Sequence, residues 1–368
     1  MARLVEVATA RLTRELHTEF VTALRRTSQV ISVAVRVTDS DGAVGYAEAP
    51  QIWRVTGESV ASIEACVLGP LADALLSREF DARTSDQVHH LLGQAVAGNT
   101  GARAACEIAV LDLLARRAGR PLAATVGAAV DSVATDITIA AQVSDPAAEK
   151  VPDGFGIAKI KVGLDPADVE RVIRIQRAAG PQLRIRVDAN QAWDVDTAVS
   201  TVEAWQQAGV NLDVLEQPLP AHDVRGHAVL RRRLSVPIML DESVFSIHDL
   251  HRALDADAAD MVNIKLAKCG GIHAGLEIAC EARKAELGVM VGSMMESELG
   301  VAAAAAFAAV VAPTESNDLD AAWWSITPTD TGTPYRGDRF LLSDEPGLSR
   351  ATARIGDDLG AWQERRLG

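Results

Sequence analysis

Residues 158–193 read AKIKVGLDPADVERVIRIQRAAGPQLRIRVDANQAW. Ala158–Val162 is a short β-branched run, Asp168–Ala179 carries apolar residues at three- and four-residue spacing and stops at Gly180, and Leu183–Val187 is a second short run closed by Asp188. Strand, amphipathic helix, glycine stop and strand make one βα unit leading into the next parallel strand. The texture recurs on both sides. Further runs lie at Thr135–Ala141, Leu212–Leu215, Pro237–Leu240, Met261–Leu266, Val289–Gly292 and Ser316–Leu319, and helical stretches at Asp196–Ala208 and Ala274–Leu287 end before Gly209 and Gly288. The polar residues closing successive runs are Lys161, Asp188, Glu216, Asp241, Lys265, Ser293 and Asp318; subtracting their positions gives gaps of 27, 28, 25, 24, 28 and 25 residues. Each gap is one βα unit. Eight strands with helices between most of them predict an α/β fold of TIM type, in which these closing residues converge on the C-terminal mouth of a barrel.

Upstream of about Ser132 the texture differs. Ile31, Val33, Val35 and Val37 alternate with Ser32, Ala34 and Arg36, and Asp41-Gly42 leads into Val44–Ala47, which predicts a β-hairpin. Val60–Leu76 and Ala102–Ala118 have helical spacing, the second followed by Gly119 and Pro121. The first 125 or so residues therefore read as α+β. A chain of 368 residues exceeds one compact core, in keeping with a large domain of about 200 residues and a smaller one. With 48% apolar and 23% charged residues it should be folded throughout. A net charge of -14 argues against nucleic acid or an anionic membrane as partner. Cys66, Cys106, Cys269 and Cys280 lie in apolar stretches without Cys-x-x-Cys spacing, as expected of reduced core thiols in a cytoplasmic protein. Neither a secretory leader nor an 18-residue apolar run is present in the sequence, so secretion and membrane spanning are not expected.

Asp188, Glu216 and Asp241 each close a hydrophobic strand (RIRVD, DVLE, PIMLD), which puts three carboxylates at adjacent strand ends. Clustered anions require a cation, and oxygen ligands without nearby His or Cys favour a hard divalent ion, Mg²⁺. Capping of the following helices is the alternative for any one of them. Lys159 and Lys161 are two apart in one strand and so point the same way, inward, where Lys159 should lower the pKa of Lys161 by like-charge repulsion. Asn263 and Lys265 repeat the pattern on the sixth strand, across the barrel. A carboxylate held on a divalent ion accepts charge as its α-carbon loses a proton, and two lysines on opposite faces could then remove and return it. Racemisation or epimerisation is the expected result.

These motifs, Lys-x-Lys on strand two, VDANQAW, LEQP and LDES on strands three to five, and NIKLAKCGG on strand six, resemble the muconate-lactonizing-enzyme subgroup of the enolase superfamily over nearly the whole chain. The pairing of a lysine base with Mg²⁺ is a known property of that superfamily. The resemblance implies a modified (β/α)₇β barrel over 126–344, an α+β capping domain over 1–125 joined by the tail 345–368, one Mg²⁺ per subunit and a symmetric homo-oligomer. The mandelate-racemase branch would place a His at the end of strand seven, where this chain has Ser293 and Met294. Strand alternation sends both carboxylates of Asp318-Leu319-Asp320 inward at the end of the last strand, and the triplet resembles the Asp-x-Asp motif that holds the substrate ammonium in dipeptide epimerases; two solvated turn acids are the bland alternative. TALRRTS resembles the capping loop of Ala-Glu epimerases, in which the residue matching Arg25 binds a side-chain carboxylate, and Thr56-Gly57-Glu58 a second capping loop, so that Trp53 and Val55 are expected to line the pocket. Asn190 and Ser293 complete the expected substrate contacts. Arg26, Arg54 and Trp323-Trp324 depart from the family pattern and bear on side-chain preference. The eight histidines show no metal spacing, Lys268 is expected in a loop, and Gly270-Gly271 reads as a turn. Competing expectations are a cycloisomerase, an o-succinylbenzoate synthase or an N-acylamino-acid racemase of the same subgroup, and a non-catalytic ligand-binding homologue.

Overall fold

A computed structural model describes residues 2–76, 78–81, 85–141, 149–312, 315–325 and 332–367. The hairpin forms between Arg26–Asp39 and Val44–Pro50, its turn fixed by Asp39 Oδ1, which accepts from Asp41 N at 3.0 Å and Ala43 N at 2.9 Å. It is part of a larger antiparallel sheet. A 20-residue strand, Ala2–Val21, pairs with Arg26–Asp39, and the tail strand Gln363–Arg366 pairs with Glu6–Thr9 on its other edge. Register shifts between Leu4 and Glu6 and between Glu15 and Phe20 break its alternation, which hides this strand from a period-two search. Helix Thr100–Arg117 lies against Val44–Pro50, so closely that a Cβ on Gly45 would fall 2.1 Å from Ala109 O.

The helix expected over Val60–Leu76 is broken. It divides into Val60–Cys66, a π-helical turn Val67–Leu71 and Ala72–Leu75, because Pro70 has no N–H to give and Gly69 leaves helical φ/ψ. Of the four cysteines, Cys66, Cys106 and Cys269 are buried, and burial pushes their thiols up, to about 11 at Cys66 and about 12 at Cys269. Cys280 is exposed, contrary to the expectation of four core thiols.

The parallel strands are Ile137–Ile139, Ile157–Lys161, Arg184–Asp188, Leu212–Glu216, Ile238–Leu240, Met261–Lys265 and Gly288–Gly292, hydrogen-bonded in chain order. The eighth expected run shortens to Ser316–Asn317. It nevertheless closes the ring: Asp318 N donates to Val291 O and Ser293 N to Asp318 O, each at 2.9 Å, while Asp136 N donates to Asn317 O at 2.8 Å. The first run is also divided, at Asp136, into Ser132–Thr135, which pairs with Ser316–Asn317, and Ile137–Ile139, which pairs with Ile157–Lys161. Strand interiors such as Ile160, Val187, Val262 and Val291 are fully buried between the barrel axis and the helices. No described helix is long and apolar enough to cross a membrane.

Candidate active site

The period-two placement of Lys159 and Lys161 brings both ammonium groups to the carboxylates that close the next strands. Lys161 Nζ lies 2.5 Å from Asp188 Oδ2. Lys159, with no exposed surface, is 2.7 Å from Glu216 Oε2, 2.8 Å from Asp318 Oδ2 and 3.1 Å from Asp188 Oδ2. Across the ring Lys265 Nζ is 2.7 Å from Asp241 Oδ2. Asn263, two residues earlier, donates to Glu216 Oε1 at 2.9 Å. Asp188, Glu216 and Asp241 thus occupy successive strand ends with a lysine at each side. Lys159 does not face Lys161 alone, as the like-charge argument assumed; three carboxylates enclose it.

The electrostatics follow from burial set against these contacts. Burial opposes the charge of Asp188, but Lys161 and Lys159 outweigh it and hold the carboxyl at about 2. Asp241 is likewise buried, and Lys265 and Lys268 hold it below the usual carboxylate range. Glu216 goes the other way: burial and then the Asp188 charge push it up. Burial would lower Lys265, yet Asp241 raises it above the ordinary lysine value.

Lys268 is not in a loop. The chain turns helical at Leu266, so three residues past Lys265 is almost one turn rather than a change of strand face. The fully buried ammonium therefore reaches Asp241 through both Oδ1 and the backbone carbonyl, donates to Asn263 O at 3.0 Å, and lies 5.6 Å from the Phe245 ring centroid. Its sequence signal was the distance of three from Lys265, legible only once the helix start is known.

A cavity of about 620 Å³, including its open mouth, covers these groups. Lys161, Asn190, Asp241, Lys265, Ser293, Asp318 and Asp320 line it from the barrel; Arg25 and Val55 line it from the loops of the N-terminal sheet. Lys159, Asp188 and Glu216 are not among its lining residues: Asp188 pairs with Lys161 and Lys159 with Asp318, which do line it, and Glu216 lies one step further in, against Lys159 and Asn263. Trp53, expected in this pocket, is 64% exposed and lines a neighbouring cavity instead, because the Ile52–Gly57 turn carries its ring outward. Arg25 is held by an ordered turn in which Thr22 Oγ1 accepts from Leu24 N at 3.1 Å and Arg25 N at 3.3 Å. Burial pulls its guanidinium down to about 10 against the attraction of Glu296. Glu296, buried and beside Glu48, is pushed up to about 8. Glu48 ties the N-terminal sheet to the barrel through Ser297 N at 2.9 Å and Gly300 N at 3.2 Å.

Asp318 and Asp320 both line the cavity, but not by strand alternation: the strand ends at Asn317, and Asp320 precedes a 3₁₀ turn, Ala321–Trp324. Asp320 accepts from Thr138 N at 2.6 Å, Thr138 Oγ1 at 3.2 Å and Trp324 Nε1 at 3.2 Å. Trp324 is in turn stacked on His17 at 5.5 Å and meets Phe20 edge-on at 5.1 Å. Asp136, missed in the sequence, brings a carboxylate oxygen within 4.8 Å of those of Asp318 and Asp320, and pairs with Arg186 at 3.0 Å. Burial and the Asp318 charge push Asp320 up to about 6.

Two acidic sets could therefore attract a cation. The set Asp136, Asp318 and Asp320 is partly neutralised by Arg186 and Lys159, and Asp320 is directed by three donors. Each set leaves one buried carboxylate oxygen without a hydrogen-bond partner, Asp136 Oδ1 in the first and Glu216 Oε2 in the second; the strand-end set suits a hard divalent ion better because the adjoining Asn190 and Glu242 each leave a further buried oxygen unengaged. Asn190 also donates to Glu242 Oε1 at 3.1 Å and through its backbone to Asp188 Oδ1 at 2.9 Å, which orients the ligand set from outside.

Known proteins match this architecture. The chain is 35% identical over 356 residues to an L-Ala-D/L-Glu epimerase of Bacillus subtilis, covering 94% of this chain and 96% of that protein. The structure of that enzyme's substrate-liganded complex superposes with a TM-score of 0.86 at 34% identity, covering 94% of this chain and 98% of the other. A dipeptide epimerase of Enterococcus faecalis, solved with Mg and L-Leu-L-Tyr, gives a TM-score of 0.86 at 31% identity over 94% and 99% of the two chains. Residues 4–127 match the N-terminal domain model of mandelate racemase and muconate lactonizing enzyme, and residues 142–352 the enolase C-terminal domain-like model, so the chain belongs to the mandelate racemase / muconate lactonizing enzyme family.

Proposed function

We propose that the protein is an isomerase that epimerises the C-terminal residue of a dipeptide by moving the proton on its α-carbon from one face to the other. The observation that carries this is the presence of Lys161 and Lys265, from the second and sixth strands, in one cavity. A proton leaving the α-carbon goes to the nitrogen of one lysine and the other lysine delivers a proton to the opposite face. Asp188, Glu216 and Asp241 would hold one Mg²⁺ per subunit, which when bound supplies the charge that makes an α-proton beside a carboxylate acidic enough to leave. Lys159 balances the buried carboxylates at that end. Asp318 and Asp320 hold the ammonium of the N-terminal residue, and Arg25 accepts an anionic side chain with its planar fork. Asn190 positions Asp188 and Glu242, while Ser293 and Val55 shape the walls. In this reading residues 1–125 with 345–368 act as the cap and 126–344 as the barrel.

The experiment is α-proton exchange in D₂O with a dipeptide library and Mg²⁺. Wild type should wash deuterium into the C-terminal residue and invert it. Lys265→Ala should still exchange one epimer, through Lys161, without inverting it, and Lys161→Ala should exchange only the other. No exchange from any dipeptide would sink the reading; turnover of N-acylated acids alone would move it to a racemase of non-cationic substrates.

A further inference from the structure

Arg25 belongs to two cavities. Besides the active-site cavity it lines a neighbouring one of about 670 Å³ including its mouth, and the two compartments share Arg25, Ile52 and Met295 as a common wall. The second compartment is lined by three arginines, Arg25, Arg26 and Arg54, together with Trp53, Gln29 and Gln51, and by no acidic residue. This runs against the composition of the whole chain, which has 50 acidic residues to 36 basic ones. Among the described residues neither Arg25 nor Arg54 has a carboxylate within ion-pair distance. Arg26 is paired with Glu19, but both side chains are about half exposed and such pairs are weak and easily exchanged. Trp53, the most exposed large apolar side chain described, stands at the rim with its ring uncovered.

We infer that this second cavity is a subsite for a further negative charge on the substrate, carried beyond the side-chain group that meets Arg25. The inference rests on the function proposed above and narrows its substrate class. With the α-carboxylate at the metal-ligand end and the ammonium at Asp318 and Asp320, only the C-terminal residue's side chain points at the shared wall. A side chain that stops at Arg25 leaves the second compartment unused. One that continues through an amide to another carboxylate would pass Arg25 and meet Arg26 and Arg54, whose forks suit bidentate carboxylate binding, while Trp53 covers the amide plane. The substrate class is a dipeptide whose C-terminal acidic side chain is amide-linked to a further carboxylate-bearing residue. The bland alternative, solvated arginines at a loop, does not account for a cavity that shares Arg25, Ile52 and Met295 with the active site.

The test uses three substrates on the full-length protein with Mg²⁺: L-Ala-L-Glu, the same dipeptide with glycine amide-linked to its side-chain carboxyl, and the matching glycinamide compound, which lacks the last charge. The glycine compound should be epimerised with kcat/KM at least tenfold above the glycinamide compound. Arg54→Ala combined with Arg26→Ala should bring that ratio near one while changing kcat/KM for L-Ala-L-Glu less than threefold. Raising ionic strength should erode the ratio in wild type, since these charges are solvent-accessible. Equal turnover of the two linked compounds by wild type, with L-Ala-L-Glu still epimerised, would overturn the subsite and leave the epimerase reading intact. If no dipeptide is turned over at all, both fall together.

Discussion

Lys159 is the residue on which the buried charge balance turns, and Lys159→Met is the sharpest way to measure it. Methionine keeps the length and removes the charge. The ammonium lies 2.7, 2.8 and 3.1 Å from carboxylates of Glu216, Asp318 and Asp188, all buried, with only Asp318 at the cavity wall. At an effective dielectric of about 20 each contact is worth roughly 5–6 kcal/mol of Coulomb energy, about 17 kcal/mol in all. Desolvation of a buried lysine cancels most of this, and removing one partner of a buried ion pair generally costs about 3–5 kcal/mol net. With an unfolding entropy of about 2.1 cal/mol/K per residue, a chain of 368 residues should lose ~4–6 °C in Tm. The metal should then matter more. The same carboxylates, now without their ammonium, should bind Mg²⁺ more tightly, and the rise in Tm on adding Mg²⁺ should exceed that of wild type by the logarithm of the affinity gain. Calorimetric melts with and without Mg²⁺, and a direct Mg²⁺ titration, read both effects. A metal-free variant as stable as its parent, with an unchanged response to Mg²⁺, would refute the view that Lys159 neutralises this site.

Three further outcomes can be checked on single variants. Asp320→Asn removes one charge from the ammonium site and should raise KM for dipeptides roughly 10- to 150-fold, the worth of a charged hydrogen bond, with a smaller effect on kcat. Because Asp320 is pushed up to about 6, it carries its charge above that pH and loses it below; KM should therefore climb as pH falls through about 6 in wild type, and the climb should vanish in the variant. Lys268→Met leaves Asp241 Oδ1 and the Asn263 carbonyl without their buried donor while Lys265 still holds Asp241 Oδ2, and a loss of about 3–5 kcal/mol in stability is expected by the same reasoning as for Lys159. Gly292→Ala places a Cβ 2.7 Å from Lys265 Cε and from Asn263 Oδ1, so kcat should drop by about 100-fold with the far-ultraviolet circular dichroism unchanged, the scale expected when a reacting group moves by about 1 Å.

What the sequence disclosed and what it hid divide along a physical line. Regular period announces itself: strands buried on both faces read as short β-branched runs, and the residues that close them, Lys161, Asp188, Glu216, Asp241 and Lys265, keep the spacing of a βα unit. Wherever the chain changes period, the reading loses its guide. The strand Ala2–Val21 slips register twice, the Val60–Leu76 helix breaks at Gly69-Pro70, and Lys268 returns to the site only because a helix starts one residue after a strand ends. Asp320 reached the cavity for a different reason from the one the alternation gave, a turn pinned by Thr138 and Trp324. Asp136 carried no local signal at all, since it occupies the break between two short strands and acquires meaning only from Arg186 and the two acids opposite. Chemistry borne by strand ends is legible in one dimension; charge compensation is not, because its partners are chosen in space. Lys159 is the case in point. Its spacing from Lys161 suggested a neighbour that raises positive potential, whereas its surroundings make it the counterion of three carboxylates drawn from strands three, four and eight.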